Sequence, residues 1–302
     1  MRDKIKNIPI INDLAEVKSK KIGYGTKIWQ YTVILERASI GHNCNICSHC
    51  FIENDVKIGN NVTIKNHNQI WDGVVIKDDV FIGPSVKFTN DALPTSKDWQ
   101  KEIPKTIIHR GVSIGAGAVI LPGIEIDEGA TIGAGAVVTR SVKAHTTIVG
   151  SPQKTIGYKS RDNFNKNSKL NSKIFKFNKS SDKRGNLVAA ESTKDVPFEI
   201  KRLFYINEVP YGYDRGSHAH IICKQFIICL KGSLDIACDD GKNSKIYSLS
   251  NNSEGLYIPE LTWNVLYNFS SDCLVLVLAS ESYKKNDYIH SYSRFLNYTS
   301  KK

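Results

Sequence analysis

Methionine, tryptophan and long apolar runs are scarce in this chain. It has one Met and four Trp among 302 residues, and no stretch approaches the roughly 18 apolar residues that a membrane-spanning helix needs. The N-terminal residues include Lys and Arg but lack the apolar core of a signal peptide. The seven cysteines are odd in number and scattered, which disfavours a disulfide framework. We therefore expect a cytoplasmic protein with reduced thiols and no membrane contact.

The net charge of +11 is concentrated in one segment and does not mark a basic face for nucleic acid. From Lys154 to Arg184 there are ten Lys or Arg and two Asp, which accounts for +8 of the total. This segment is polar and lacks hydrophobic periodicity, as is typical of a linker. A contact with a nucleotide phosphate or an acidic partner is the alternative. We predict a first domain at 1–158, a linker at 159–172, a second domain at 173–302, and no nucleic-acid partner.

An apolar residue recurs every sixth position through the first half of the chain. A period of six cannot hold one face of a helix, but it suits a short strand and a tight turn repeated three times per coil of a parallel β-helix. Seventeen positions in this register predict between five and six coils, interrupted by a loop from Thr89 to Ser113. They are Ile22, Ile28, Ile34, Ile40, Ile46, Ile52, Ile58, Ile64, Ile70, Ile76, Ile82, Phe88, Ile114, Ile120, Ile126, Ile132 and Val138.

Cys44, Cys47 and Cys50 have a spacing seen in metal sites, but the repeat explains them more simply. Cys44 and Cys50 each stand two residues before a register Ile, where other hexads have Val or Ala. Cys47 takes a position that Gly or an acid often occupies, and no fourth ligand follows at a suitable spacing. We expect core cysteines and no metal here.

Residues eighteen apart stack in successive coils, so side chains fall into columns. His49 and His67 share one column, and His67 is the best histidine candidate for a general base because it lies about one coil from Asn90. Glu53, Trp71 and Thr89 form one further column. Asn54, Asp72 and Asn90 form the column next to it.

The hexads resemble those of the left-handed β-helix acyltransferases, which are homotrimers that bind acyl-CoA between neighbouring subunits. The turns Gly115–Ala118 and Gly133–Ala136 match the surface along which that family binds the pantetheine arm. Their small side chains let a ligand approach the backbone closely. The segment Gly150–Lys154 resembles the family's exit beside the CoA nucleotide. The resemblance therefore implies acetyl-CoA as co-substrate, contacted by Lys154 and by Gly115, Ala116, Gly117, Ala118, Gly133, Ala134 and Gly135.

The segment Phe81–Asp91 resembles that of N-acetyltransferases acting on nucleotide-linked amino sugars. In these relatives an Asn and a Glu surround the sugar's amino group, and by position they are Asn90 and Glu53. Asp91 and His67 are further candidates for substrate contact. An amine that is already largely uncharged needs mainly to be oriented in order to act as a nucleophile. The identity of a general base, if one is used, therefore stays open.

Beyond about Ile174 the hexads give way to short strand-like runs separated by turns, which indicates an all-β barrel or sandwich. The segment Arg215–His220 resembles the first cupin motif, and the segment from Pro259 to Asn268 resembles the second. His218 and His220 alternate onto one strand face. The fold class we predict is mainly β, a left-handed parallel β-helix followed by a cupin, or jelly-roll, β-barrel.

A metal centre is not expected in this barrel. Lys224 and Gln225 stand where metal-binding cupins have an acid, and Asn264 stands where they have another His. Two histidines without an acid or a third imidazole make a poor closed metal site.

The barrel sequence as a whole resembles the dTDP-4-keto-6-deoxyglucose 3,4-ketoisomerases, which move a carbonyl from C4 to C3 through an enediol. The resemblance covers Phe198–Arg202, Arg215–His220, Gly255–Tyr257, Ser271–Cys273 and Leu278–Ser280. Imidazoles suit this proton transfer because their pKa lies near the working pH. The resemblance implies His220 as the carbon base, His218 as a proton shuttle, Tyr205 nearby, Arg202 and Arg215 on the diphosphate, and Asn264 against the substrate.

Together the two resemblances imply a bifunctional enzyme of dTDP-3-acetamido-3,6-dideoxyhexose synthesis for surface polysaccharides such as O-antigen, with an aminotransferase acting between its two steps. An acetyltransferase with a non-catalytic cupin, or with a cupin epimerase, is the alternative. The configuration at C4, the preferred acyl group, and the choice between a trimer and a hexamer joined by cupin dimers stay open.

Overall fold

The computed structural model describes residues 8–98, 102–159 and 170–300. It divides into two compact units, residues 1–154 and 155–302. The division falls inside the strand Lys154–Tyr158, four residues before the end predicted for the first domain. Residues 160–169, most of the predicted linker, lie outside the described residues. In the described ranges no helix is long and apolar enough to span a membrane.

The first unit is a parallel β-helix whose short strands form three sheets, as predicted. Register residues of successive coils pair directly, for example Ile46 with Ile64 and Ile64 with Ile82. The first sheet contains Ile10–Ile11, Lys27–Ile28, Asn45–Ile46, Thr63–Ile64, Phe81–Ile82, Ser113–Ile114, Thr131–Ile132 and Thr146–Val149; the second contains Glu16–Val17, Val33–Ile34, Phe51–Ile52, Gln69–Ile70, Lys87–Phe88, Val119–Ile120 and Val137–Val138; the third contains Ser39–Ile40, Lys57–Ile58, Val74–Ile76, Thr106–Ile108 and Glu125–Ile126.

The repeated apolar residues fill the interior of the β-helix. Ile34, Ile52, Ile64 and Ile82 are fully buried, and the smaller Val or Ala two residues earlier, such as Val62, packs in the same core. Each buried Ile contributes roughly 1.5–3 kcal/mol through removal of apolar surface from water. The core therefore accounts for the period of six.

The β-helix makes about eight turns, more than the five to six predicted. Ile11 pairs with Ile28 and Ile132 with Ile148, so coils near both ends contain 17 and 16 residues and leave the strict register. The loop is also shorter than predicted, because Thr106–Ile108 returns to pair with Val74–Ile76. The expelled segment is residues 89–105, of which 99–101 lie outside the described residues.

The second unit is an antiparallel β-barrel of two five-stranded sheets, in agreement with the predicted cupin fold. Apolar residues such as Ile227, Ile236, Leu256 and Val275 fill the space between them. In spatial order, one sheet contains Lys173–Lys176, Glu254–Ile258, Gln225–Lys231, Leu274–Ala279 and Arg202–Ile206, and the other contains Ser244–Leu249, Leu234–Asp239, Trp263–Tyr267, Arg215–His220 and Tyr288–Ile289. The strands Lys179–Asp182 and Gly185–Val188 form a separate hairpin, Lys285–Asp287 is a short 3-10 helix, and Tyr292–Thr299 is an α-helix.

A buried carboxylate ties both ends of the second unit to its barrel. Asp239 accepts hydrogen bonds of 2.8 Å from the hydroxyls of Tyr158 and Tyr292. Burial raises the pKa of Asp239, while the two tyrosines and the Gly241 amide act in the opposite direction. This contact explains why residues 155–158 belong to the second unit.

Candidate active sites

The barrel of the second unit contains a cavity of about 110 Å³ that both sheets line. Its wall is mostly apolar, and a few polar side chains converge on it, which is typical of a site that binds a small molecule and orients it. The wall includes Phe204, Ile206, His218, Gln225, Asn264 and Tyr288.

His218 lies in the cavity wall in one defined tautomer. Its Nδ1 lies 2.8 Å from the Gly216 carbonyl oxygen, which can only accept, so Nδ1 carries a proton and Nε2 keeps a lone pair in the neutral ring. A bulge between Gly216 and His218 shapes the strand at this point. Burial, with the neighbouring His220, lowers the pKa of His218 to about 4. The ring is therefore neutral near pH 7 and can accept a proton.

His220 is held from behind by a buried carboxylate. Its Nδ1 lies 2.8 Å from Asp287 Oδ2, and both residues are buried. The other oxygen, Oδ1, accepts a 2.8 Å hydrogen bond from the Ile222 amide, which fixes the carboxylate. Burial lowers the pKa of His220, while the hydrogen bond and charge of Asp287 raise it. Nε2 of His220 is buried without a hydrogen-bond partner in the described part of the chain.

The last strand of the barrel adds aromatic rings around the two histidines. The rings of His218 and His220 meet edge to face at 5.1 Å, and Tyr288 lies 5.0 and 4.3 Å from them. His290 lies 5.9 Å from His218. Asp287, Tyr288 and His290 were not predicted from the sequence. The run Asp-Tyr-Ile-His after the last apolar strand was the available signal, since it places polar and aromatic side chains in alternation.

The other predicted residues of the second unit take different positions. Asn264 is buried in the cavity wall, and its amide donates to the His218 carbonyl oxygen at 3.3 Å. Arg202 is half-buried, lies over the Phe204 and Tyr283 rings, and helps to lower the pKa of His220. Arg215 is exposed at the start of its strand.

Tyr205 lies away from the cavity. Phe204 and Ile206 line the wall, and strand alternation turns Tyr205, which is 66% exposed, to the opposite face. Within one chain the structure therefore brings His218, His220 and Asn264 together but leaves Tyr205 outside.

In the first unit, Glu53, Asp72 and Asn90 lie along the corner between the second and third sheets. Oε2 of Glu53 accepts a 2.7 Å hydrogen bond from the Asp72 amide, so this carboxylate is held by the next coil. Asn90 and Asp91 are half-exposed where the expelled loop begins, and Oδ1 of Asp91 accepts from the Leu93 amide at 2.9 Å. Polar groups thus converge on this corner beside the loop.

The returning end of the loop packs on glycines at the same corner. A Cβ on Gly73, which has a φ of +88°, would lie 2.8 Å from Cγ2 of Ile103, and a Cβ on Gly123 would lie 3.3 Å from Pro104. Only a residue without a side chain fits so closely beneath Ile103. Gly73 therefore sets the position of residues 103–104 next to Asp72.

The glycine-alanine turns lie on a different corner, between the first and second sheets. A Cβ on Gly115 would come within 2.5 Å of the Ala134 nitrogen, whereas a Cβ on Gly117 or Gly135 would meet nothing within 4 Å. The turns Gly115–Ala118 and Gly133–Ala136 thus stack closely and leave an open, smooth outer surface.

His67 belongs to this second corner and not to that of Asn90. It is exposed at a φ of 61°, and its ring stacks on His49 at 4.9 Å. The Ser85 amide donates to the Asn66 carbonyl and the Gly117 amide to that of Pro84, so the column continues upward into the glycine-alanine turns. The structure does not bring His67 to Glu53 or Asn90 within one chain.

The cysteine run has the positions predicted from the repeat. Cys44 and Cys50 are buried in the β-helix core, and Cys47 is half-buried. Burial raises the pKa of the Cys50 thiol to about 11, as expected of an unreactive core cysteine.

Comparison with known proteins identifies both units. The family model described as FdtA, WxcM-like, C-terminal matches residues 170–300, and the bacterial transferase hexapeptide model matches residues 55–90 and 105–140. A TDP-4-oxo-6-deoxy-α-D-glucose-3,4-oxoisomerase of Aneurinibacillus thermoaerophilus is 40% identical over 132 residues, which are 44% of this chain and 95% of that protein.

Two further proteins are similar to parts of the chain. A dTDP-3-amino-3,6-dideoxy-α-D-galactopyranose 3-N-acetyltransferase of Aneurinibacillus thermoaerophilus is 54% identical over 144 residues, which are 48% of this chain and 75% of that protein. A solved sugar 3,4-ketoisomerase of Thermoanaerobacterium thermosaccharolyticum in complex with TDP is 40% identical, with a TM-score of 0.43, over 43% of this chain and 96% of that one. The chain therefore belongs to two families, the FdtA-like sugar 3,4-oxoisomerases through its second unit and the hexapeptide-repeat N-acetyltransferases through its first.

Proposed function

We propose that this chain is a bifunctional nucleotide-sugar enzyme. The second unit converts dTDP-4-keto-6-deoxyglucose to its 3-keto isomer, and the first transfers an acetyl group from acetyl-CoA to the amine of a dTDP-3-amino-3,6-dideoxyhexose. The observation that carries the first activity is a pair of adjacent imidazoles, His218 in the cavity wall with a free lone pair and the buried His220 backed by Asp287.

Ketoisomerisation requires that a proton leave C3 while the C4 carbonyl oxygen gains one, which gives an enediol. A proton then returns to C4 while the C3 hydroxyl loses its own. The resemblance implied that His220 takes the carbon proton. The position of His218 in the cavity wall, with Nδ1 protonated toward Gly216, supports the opposite assignment. We therefore propose Nε2 of His218 as the carbon base.

His220 and Asp287 then serve the oxygens of the enediol. When Nε2 of His220 accepts a proton, the ring becomes an imidazolium, and the carboxylate at 2.8 Å stabilises it by a charge-assisted hydrogen bond. Asn264 and Gln225 lie in the same wall and would orient the sugar. Arg202 and Arg215 are proposed contacts of the diphosphate, because a guanidinium matches phosphate oxygens in charge and geometry. No metal takes part in this proposed reaction.

The test is deuterium uptake at C3 and C4 in D₂O, followed by NMR, together with identification of the product. His218→Asn should abolish both isomerisation and uptake, whereas His220→Asn should slow turnover and retain some uptake. The reverse pattern would return the carbon proton to His220. Uptake that persists in both variants would remove the pair from the mechanism, and an epimerised product would make the second unit an epimerase.

For acetyl transfer we propose that Asn90 and Glu53 orient the sugar amine, with Asp91 beside them, and that the glycine-alanine turns and Lys154 bind acetyl-CoA. Within one chain the glycine-alanine turns and the residues Asn90 and Glu53 occupy different corners of the β-helix. A homotrimer, in which one corner of a subunit lies against its neighbour, would join them. His67, on the same corner as the glycine-alanine turns, would then reach the acetyl group from the neighbouring subunit.

The remaining expectations belong to the same proposal. They are a location in the cytoplasm, a role in surface polysaccharide synthesis such as that of O-antigen, and an assembly that is either a trimer or a hexamer joined by cupin dimers. The supply of nucleotide-linked sugars for such polymers is consistent with both proposed substrates.

A further inference from the structure

A thiol lies beside the His220–Asp287 pair, and the proposed reaction does not use it. Cys223 is buried in the turn between the strands Arg215–His220 and Gln225–Lys231. One nitrogen of His220, the sulfur of Cys223 and one carboxylate oxygen of Asp287 lie within 4.8 Å of one another, and all three residues are buried. Imidazole, thiolate and carboxylate together are a ligand set that zinc binds in proteins.

We propose that His220, Cys223 and Asp287 form an inhibitory site for Zn²⁺ or a similar borderline-soft divalent cation. In a tetrahedral zinc site the ligand atoms lie roughly 3.3–3.6 Å apart. Here Nδ1 of His220 and Oδ2 of Asp287 are 2.8 Å apart, and the sulfur is within 4.8 Å. Shifts of about 1 Å or less at each side chain would therefore place these three ligands at corners of a tetrahedron. Water would be the fourth ligand.

Charge and access both favour such a site. The carboxylate and the thiolate carry two negative charges, which a divalent cation neutralises in a place where an isolated charge would be costly. Asp287 is already held by the Ile222 amide, so one ligand is oriented in advance. The turn that contains Cys223 lies at the surface, since the neighbouring Ile222 is 49% exposed.

Binding would remove His220 from proton transfer. Nδ1 is the nitrogen beside Asp287, so a cation shared with the carboxylate would bind there. The ring proton then resides on Nε2, which changes from a proton acceptor to a donor, and the thiol releases its proton to solvent as the metal–sulfur bond forms. No electron is transferred. The inhibition part of this inference rests on the proposed ketoisomerase, whereas the binding part does not.

The test uses the full-length protein with His109→Ala, since His109, Glu125 and Asp127 form another group of metal-ligating side chains in the described residues. Zn²⁺ competition against a chromophoric chelator and the thiolate-to-cobalt absorption band with Co²⁺ measure binding. Cys223→Ser should lower the affinity at least 100-fold and abolish the band, whereas the matched buried-cysteine control Cys229→Ser should retain both. Thermal unfolding of Cys223→Ser and Cys223→Ala verifies that they fold.

In the activity assay, Zn²⁺ should inhibit ketoisomerisation at the concentrations at which it binds, a chelator should restore activity, and Cys223→Ser should be active and resistant. Equal Zn²⁺ affinity in wild type and both Cys223 variants would overturn the site. Binding through Cys223 without inhibition would overturn the inhibitory role. A protein that binds Co²⁺ through Cys223 but never isomerises the sugar would support the site and contradict the proposed function.

Discussion

Replacement of Asp287 by Asn tests whether the buried carboxylate supports proton transfer through His220. The carboxylate lies 2.8 Å from Nδ1, and both groups are buried, so water screens the pair little. Hydrogen bonds to charged groups contribute about 1.5–3 kcal/mol. If that contribution applies when His220 is protonated, kcat for ketoisomerisation should fall roughly 10- to 150-fold. The substrate KM should change little, because Asp287 does not line the cavity.

The pH dependence gives a second readout of the same change. Asp287 raises the pKa of His220 against the effect of burial, so Asp287→Asn should lower this pKa and move the acidic limb of kcat to lower pH. The amide oxygen of Asn can still accept from the Ile222 amide, which limits structural damage. Turnover rates from reactions quenched at set times across pH 5–8, with product analysis by NMR, measure both effects. Asp272→Asn, at an exposed site, serves as the control. A variant with wild-type kcat and an unmoved acidic limb, or a loss that follows unfolding alone, would refute the reasoning.

Three other predictions concern separate features. Asn90→Ala should lower amino-sugar acetylation about 100-fold, equivalent to ~2.7 kcal/mol, and leave ketoisomerisation unchanged; a mild effect together with loss in His67→Asn would favour an imidazole base. Gly73→Ala strains a φ of +88° and crowds Ile103, so it should displace the loop at a cost of about 1–3 kcal/mol and reduce acetylation only; equal loss of both activities would contradict this. The pKa of His218 is lowered from 6.5 to about 4, so the unfolded chain binds an extra proton between these values, and the free energy of unfolding should decrease as pH falls from 6.5 to 4. Urea denaturation of wild type and His218→Gln should show a smaller decrease in the variant.

The β-helix could be predicted from the sequence because one local rule repeats. Every sixth residue faces the interior, so the positions of Ile64 and of Cys44 followed from spacing alone, and both are buried as expected. The rule failed where coils change length. Ile148 pairs with Ile132 only 16 residues away, and Thr106–Ile108 rejoins the solenoid after the loop. The number of turns therefore depended on which strands pair between coils, and a single hexad does not specify this pairing.

The barrel histidines were also evident in the sequence, since alternation places His218 and His220 on one face of a strand. The different surroundings of the two histidines were not evident. Asp287 lies 67 residues beyond His220, and only closure of the barrel brings its carboxylate to Nδ1. In the same way, alternation set Tyr205 apart from Phe204 and Ile206, but packing against the opposite sheet decided which of them faces the cavity.

The corners of the β-helix follow the same division. The stacking of residues eighteen apart placed Glu53 in the column of Thr89, next to that of Asn90. The hydrogen bond from the Asp72 amide to Glu53 agrees with this placement. Sequence distance suggested that His67 is close to Asn90, yet the two residues lie at different corners, on opposite sides of the second sheet. Local periodicity thus determined which residues face inward or outward, because it depends on backbone geometry within one coil. Which outward residues meet was decided by the three-sided path of the chain and by contacts between distant segments, which no local pattern specifies.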